Sequence, residues 1–231
     1  MDEKRDRELH AANRLDAFVD AAFAFAVTLL VIATASPPAN LEDLRDAIGR
    51  IPASAFAFAL ISLFWFGHKA FGRLTCERDT VIQLLSLAIV FTVLVYVYPL
   101  RLLTGSFFFW MSGGRLPGNG IIANFADLQQ LYVVYGAGFA LLATLYAALF
   151  HHGVRNAERL GIAGKAVEDA RDFAAIWIIL VLVGVASALL AAVGPLLAAP
   201  WLPGFTYGAI PLLIWSRALL RRRARGRRPL A

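Results

Sequence analysis

The sequence predicts an all-α, polytopic membrane protein with six transmembrane helices. Hydrophobic residues make up 59% of the 231 residues and charged residues only 16%, a balance far more apolar than that of soluble domains. Apolar runs of roughly 20 residues recur, the length that crosses the hydrocarbon core of a bilayer. No run alternates polar and apolar side chains over about ten residues, as transmembrane β-strands do. The predicted spans are residues 17–36, 51–72, 81–100, 128–150, 173–195 and 200–220.

The first span carries two stripes of side chains when it is projected at about 100° per residue. A bulky stripe is formed by Phe18, Phe25, Leu29 and Ile32. A small stripe beside it is formed by Ala17, Ala21, Ala24 and Thr28. Small side chains let a neighbouring helix backbone approach closely, which is how membrane helices pack.

Asp20 is the only charged side chain in the first span. It projects about 140° away from Phe25, so we expect it to face another helix, where a partner offsets the cost of a buried charge. The second span ends near the same depth with Trp65 and His68. We therefore expect a hydrogen-bonded pair of Asp20 and His68, with Arg14 below it. The plainer interpretation is that Trp65 is only an interfacial anchor.

Proline and glycine mark the segments outside the membrane. Pro37 and Pro38 end the first helix, and Asn40 is a candidate N-cap for a short surface helix. An outer loop is predicted over residues 105–127, with the aromatic run 107–110 in the headgroup layer. The last two spans are predicted to break at Pro195, Pro200, Pro203 and Pro211.

The distribution of basic residues predicts that both termini are cytoplasmic. With the N-terminus inside, only four of the 22 lysines and arginines lie outside: Arg45, Arg50, Arg101 and Arg115. The predicted parts are a cytoplasmic tail at 1–13, a membrane domain at 14–220 and a basic cytoplasmic tail at 221–231. We expect a multi-pass protein of the cell (plasma or inner) membrane. The net charge of +6 then reflects topology and lipid contact, and no nucleic-acid partner is expected.

The sequence favours neither an enzyme nor a metalloprotein. His151 and His152 are adjacent and cannot share one helix face, and no second cluster lies at metal-ligand spacing. We expect no metal, no cofactor and no catalytic residues. Acidic residues such as Asp2 and Glu3 in the leading segment argue against a cleaved signal peptide.

Two motifs resemble a known family. RLDAFVD followed by AAFAFAVTLLV in the first span, with FWFGH in the second, resembles the six-helix prokaryotic relatives of the lysosomal potassium channel called transmembrane protein 175. That family shows Arg-x-x-x-Phe-Ser-Asp, a small apolar run ending Thr-Leu-Leu-Val, and Phe-Trp with a histidine pair. Here Val19 replaces the serine, Gly67 and Lys69 flank a single His68, and Phe25 replaces a smaller ring residue.

The resemblance implies four identical subunits around a central pore lined by the first helix. It implies constrictions at Phe25, Leu29 and Ile32, and a structural network that holds the first helix. The network residues are Arg14, Phe18, Asp20, Trp65 and His68. Thr28 is the candidate polar pore-lining residue, although its hydroxyl could bond its own helix carbonyl instead.

We therefore predict a potassium-selective cation channel with hydrophobic constrictions, permeated by K+ and lacking a Thr-Val-Gly-Tyr-Gly filter. Its expected partners are the potassium ion, further copies of itself in a homotetramer, and membrane lipids. A nonconducting membrane scaffold or lipid-binding sensor is the alternative, because four phenylalanines at position 25 could seal a pore. A secondary transporter is less favoured, since the span centres carry almost no charge.

Overall fold

The regular structure in the described part of the chain is helical. The computed structural model describes the backbone of residues 2–32, 38–75, 77–118, 120, 122–193, 199 and 201–226, and the side chains of these residues except 2–12, 32 and 220–226. The helices are α1 (Asp2–Ile32), α2 (Leu41–Gly49), α3 (Ile51–Gly72), α4 (Thr80–Met111), α5 (Phe125–Arg155), α6 (Lys165–Val193), α7 (Leu202–Phe205) and α8 (Ala209–Gly226), with a 3-10 turn (Thr206–Gly208) between the last two.

Within the described residues, four helical segments are long and apolar enough to cross a membrane. They are Leu41–Gly72, Thr80–Met111, Phe125–Arg155 and Lys165–Val193. They contain the predicted second to fourth spans and the fifth as far as Val193, since residues 194–195 lie outside the described residues. The short helix predicted after Asn40 is α2, whose Asp43 amide donates to the Asn40 side chain at 2.8 Å. The first and sixth spans and the cytoplasmic location of both termini remain predictions.

The third span is longer than predicted. α4 runs through Pro99 and ends at Met111, so the prediction of a loop beginning at Gly105 is wrong for residues 105–111, and the aromatic run is helical. Proline and glycine are tolerated in apolar helices because no water competes for the backbone groups and neighbouring helices support the turn.

The end of α4 is set by two glycines further along. Gly113 and Gly114 adopt φ of +64° and +80°, values that residues with a Cβ adopt at a cost. The Gly113 amide donates to the Trp110 carbonyl at 3.0 Å and the Gly114 amide to the Phe109 carbonyl at 2.9 Å. This is the Schellman pattern, which satisfies the last carbonyls and stops the helix.

The sixth predicted span, residues 200–220, is interrupted by α7 and the 3-10 turn. The Pro203 carbonyl accepts hydroxyl hydrogen bonds from Ser187 at 2.9 Å and from Thr206 at 2.7 Å. These bonds satisfy backbone that a continuous helix would otherwise pair. Two further predicted breaks fall outside the described residues: Pro195 and Pro200.

α5 and α6 form the most closely packed pair of helices. A Cβ at Gly136 of α5 would lie 2.9 Å from the Ala188 backbone nitrogen, and one at Gly184 of α6 would lie 2.9 Å from that of Ala140. Such close approach is the membrane form of helix packing, in which contact area replaces the hydrophobic drive.

An aromatic cluster joins α3 to this pair. The Tyr146 ring of α5 stacks on the Trp177 ring of α6 with centroids 4.2 Å apart, and the Tyr146 hydroxyl donates to the Phe64 carbonyl of α3 at 2.6 Å. A Cβ at Gly67 would lie 2.5 Å from the Trp177 ring. The glycine beside His68, a departure from the family motif, is therefore required by packing in this chain.

Candidate functional site

α1 packs against α3 and α4 through one narrow face. The fully or nearly fully buried side chains on that face recur at helical spacing: Val19, Phe23, Ala26 and Leu30. The opposite half of the helix is uncovered by the rest of the chain. All members of the small stripe are exposed there, beside Phe18 and Phe25, which are 51% and 55% exposed.

The bulky stripe is thus unpartnered in its described members, apart from Leu29, which is half-buried at its edge against the core. The side chain of Ile32 lies outside the described residues. The Thr28 hydroxyl donates to the Ala24 carbonyl at 2.9 Å, which is the bond to its own helix that the sequence left open. Because a hydroxyl oxygen that donates once keeps its lone pairs, Thr28 still presents an acceptor on the exposed face.

Asp20 faces α3, as its projection predicts, but its partners differ from the expected one. Trp65 Nε1 donates to Asp20 Oδ1 at 2.8 Å, and Lys69 Nζ lies 3.4 Å from Asp20 Oδ2 and 5.7 Å from the Trp65 ring centroid. The expected hydrogen bond between Asp20 and His68 is not formed. His68 is buried and bonds Ser86 of α4 through Nε2 at 3.1 Å.

Helix geometry explains the exchange of partners. Trp65 and Lys69 are four residues apart and share one face of α3, whereas His68 lies about 100° from Lys69 around the helix. The face that carries Trp65 meets α1, and the face that carries His68 meets α4. The i, i+4 spacing of an indole donor and an ammonium was the signal for this pair in the sequence.

A second ion pair anchors the same side of α1 and was not predicted. Arg78, between α3 and α4, donates through Nη2 to Asp16 Oδ1 and Oδ2 at 3.1 and 3.0 Å, and its side chain is only 3% exposed. Its Nη1 donates to the carbonyls of Thr75 and Glu77. Asp16 lies one turn before Asp20, so two carboxylates on one stripe were the sequence signal for two basic partners.

Arg14, the remaining basic member of the predicted network, is exposed and makes no hydrogen bond to another described residue. Among the predicted network residues, the structure therefore brings together Asp20 and Trp65. It places Phe18 on the exposed half of α1 and His68 on a separate contact with α4. Charged anchors hold one side of α1, and an apolar half remains uncovered.

Known proteins are similar to this chain. A protein of Marivirga tractuosa named "Potassium channel" is 29% identical over 169 residues, which cover 69% of this chain and 66% of that relative. A crystal structure of the potassium channel MtTMEM175, a threonine-to-alanine variant in complex with a Nanobody-MBP fusion protein, superposes with a TM-score of 0.77. That match has 23% sequence identity and covers 91% of this chain and 93% of the other, so it shows a shared fold.

The helical bundle and its four segments of membrane-spanning length define a multi-pass membrane protein. Residues 14–99 match the family described as "Endosomal/lysosomal potassium channel TMEM175". This part of the chain is similar to the TMEM175 family. The matched residues contain all of α3, both ion pairs of α1 and its exposed stripes.

Proposed function

We propose that this chain is a potassium-selective cation channel in which copies of α1 surround a shared axis. The match of residues 14–99 to the TMEM175 family and the relative named "Potassium channel" support the activity. The observation that carries the arrangement is the uncovered apolar half of α1. Phe25 is 55% exposed on that half, whereas Val19, on the face that packs against the rest of the chain, is fully buried. One chain supplies one such helix, so a pore requires a closed symmetric oligomer, which we propose is a homotetramer.

The bulky stripe forms the narrow part of the proposed pore. Phe25, Leu29 and Ile32 stand one turn apart along α1, so equivalent residues of several copies would make successive apolar rings. Hydrophobic rings gate by excluding water from a narrow passage. The conducting state therefore needs these rings to widen or to fill with water. The two ion pairs of α1 hold the helix that carries the rings.

Polar groups in this passage are few, and weak binding suits conduction. An ion must enter a site easily and leave it easily, so no strong coordination cage is expected. The Thr28 oxygen, which keeps free lone pairs on the exposed side of α1, is the proposed contact for a partly dehydrated K+. The chain has no Thr-Val-Gly-Tyr-Gly segment to replace the hydration shell completely.

Ion flux into liposomes that contain the purified full-length protein tests the function. We expect K+ uptake well above that of protein-free liposomes and above Na+ uptake under the same gradient. Phe25→Ala should raise the flux severalfold and reduce the preference for K+, because it removes the four phenyl groups that a tetramer would place in the constriction. Phe91→Ala is the matched control: Phe91 is 69% exposed on α4, and its removal should leave flux unchanged.

A nonconducting scaffold or lipid-binding sensor is the second proposal, favoured by the size of Phe25 and the arginine-rich end of the chain. It predicts no K+ flux in either the natural protein or Phe25→Ala. Flux that is equal in natural protein, Phe25→Ala and Phe91→Ala would instead place the permeation path away from α1.

A further inference from the structure

A cleft of about 550 Å³ opens between the start of α4 and the end of α5. Its lining residues are Val81, Leu85, Ala148, His151, His152, Arg155 and Asn156. Val81 and Ala148 are exposed on the outer surface of the bundle. The cleft therefore lies where two segments of membrane-spanning length end together, at the end predicted to be cytoplasmic.

At the inner edge of the cleft, Asp79 is surrounded by hydrogen-bonding and charged partners. The Asp79 carboxylate caps α4 by accepting the Ile82 amide at 2.9 Å, and it pairs with His152 Nε2 at 2.8 Å and with Arg159. Burial works to raise the pKa of Asp79, but the Ile82 and His152 hydrogen bonds and the charges of His152 and Arg159 outweigh it and lower that pKa overall. The negative charge at this edge is thus matched by its own partners.

Two donors of the cleft are left over. His151 and Arg155 are exposed, and neither makes a hydrogen bond or ion pair with another described residue. An arginine guanidinium offers a planar fork suited to phosphate oxygens, and an imidazole can donate in either protonation state. Below them the wall of the cleft is apolar, formed by Val81, Leu85 and Ala148.

We infer that this cleft binds an anionic phospholipid, with the phosphate on Arg155 and His151 and the start of an acyl chain along Val81, Leu85 and Ala148. Charge complementarity selects a negative headgroup, and the apolar wall selects a ligand with a tail. A free phosphate would use the two donors but leave that wall in water. Basic pockets between helices on the cytoplasmic side are the usual sites of such headgroups. Such binding requires a protein embedded in a membrane and does not depend on ion conduction.

The experiment is a titration of the purified full-length protein with phosphatidylglycerol and, separately, phosphatidylcholine, with bound lipid counted by native mass spectrometry. We expect phosphatidylglycerol to bind more tightly. Arg155→Gln should weaken it about fivefold, as loss of one basic residue at a lipid surface does, and leave phosphatidylcholine unchanged. Ala148→Phe should also weaken phosphatidylglycerol binding, since it fills the cleft without altering charge.

Arg171→Gln is the matched control, because it removes another exposed charge, on α6 and outside the cleft. Equal loss in Arg171→Gln and Arg155→Gln would overturn the inference in favour of general surface charge. Unaltered lipid binding in Arg155→Gln or in Ala148→Phe would also overturn it. Displacement of the lipid by inorganic phosphate at equal concentration would assign the two donors to a free anion and not to a lipid.

Discussion

The α5–α6 pair and the α1 helix are held in contrasting ways. α5 and α6 meet at Gly136 and Gly184 with no room for a methyl group, and their contact depends mainly on shape. An exposed hydrogen bond from the Gln129 side chain to the Ala192 carbonyl, at 3.3 Å, adds to it. α1 is held on one side by directional bonds from Trp65 to Asp20 and from Arg78 to Asp16, while its other half is uncovered.

The contrast separates a scaffold from a helix whose orientation is set by a few polar atoms. Close packing without directional bonds is sensitive to added volume and insensitive to charge. A buried charge such as that of Arg78, whose side chain is 3% exposed, has the opposite sensitivity, because removal of its partner leaves it uncompensated. The α5–α6 interface should therefore fail when a methyl is added, and the α1 anchors should fail when a polar group is removed.

The largest expected effect is that of Asp16→Ala. It leaves the nearly buried guanidinium of Arg78 without its carboxylate, and we expect the free energy of unfolding to fall by about 3 kcal/mol. The measurement is equilibrium unfolding of the detergent-solubilised protein. The double variant Asp16→Leu with Arg78→Met should recover much of the loss, because an apolar pair removes the unpaired charge. A double variant less stable than Asp16→Ala would contradict the explanation.

Gly136→Ala should have the next largest effect. The new Cβ would lie 2.9 Å from the Ala188 nitrogen, and separating the helices to admit it should cost about 2 kcal/mol. Gly208→Ala is the control, since nothing lies within 4 Å of a Cβ there. Thermal unfolding followed by size-exclusion chromatography compares the two. Equal midpoints for both variants would show that the α5–α6 contact tolerates added volume.

Apolar length and local spacing made much of this fold predictable from the sequence. α3 begins and ends at the predicted residues, and Asn40 caps α2. The predicted third span ends at residue 100, just after Pro99, whereas α4 continues through that proline and stops at the left-handed turn of Gly113.

The candidate site was less predictable, because its contacts join residues far apart in sequence. Asp16 and Arg78 are 62 residues apart, and Asp20 and Trp65 are 45 apart. Matching depth in the membrane reduces the number of candidate partners for each charge, but it does not choose between neighbouring residues of one helix. Asp20 shows this, because its partners are Trp65 and Lys69 and not His68. Residues 33–37 and the side chain of Ile32 lie outside the described residues, so the far end of the bulky stripe stays a prediction.

The smallest expected effect is the pH dependence of the stability that Asp79 contributes. Asp79 caps α4 and pairs with His152 of α5. Folding lowers the pKa of the Asp79 carboxyl. The stability that Asp79 contributes is therefore fully present above the ordinary aspartate pKa of about 3.9, and it is lost as pH falls through the lower pKa of the folded state. Asp79→Asn keeps a helix-capping side chain but not the charge. It should cost about 1 kcal/mol at pH 7 and nothing near pH 2, measured by unfolding at both values. An equal cost at both would contradict the assigned charge effect.

Disulfide cross-linking between copies of α1 tests the shared axis most directly. In a Cys76→Ser background, Phe25→Cys should form covalent dimers on mild oxidation of the protein in membranes, because the proposed pore brings position 25 of several copies together. Phe91→Cys, exposed on α4, should remain monomeric on a non-reducing gel. Cross-linking at position 91 with none at position 25 would show that the uncovered half of α1 faces lipid.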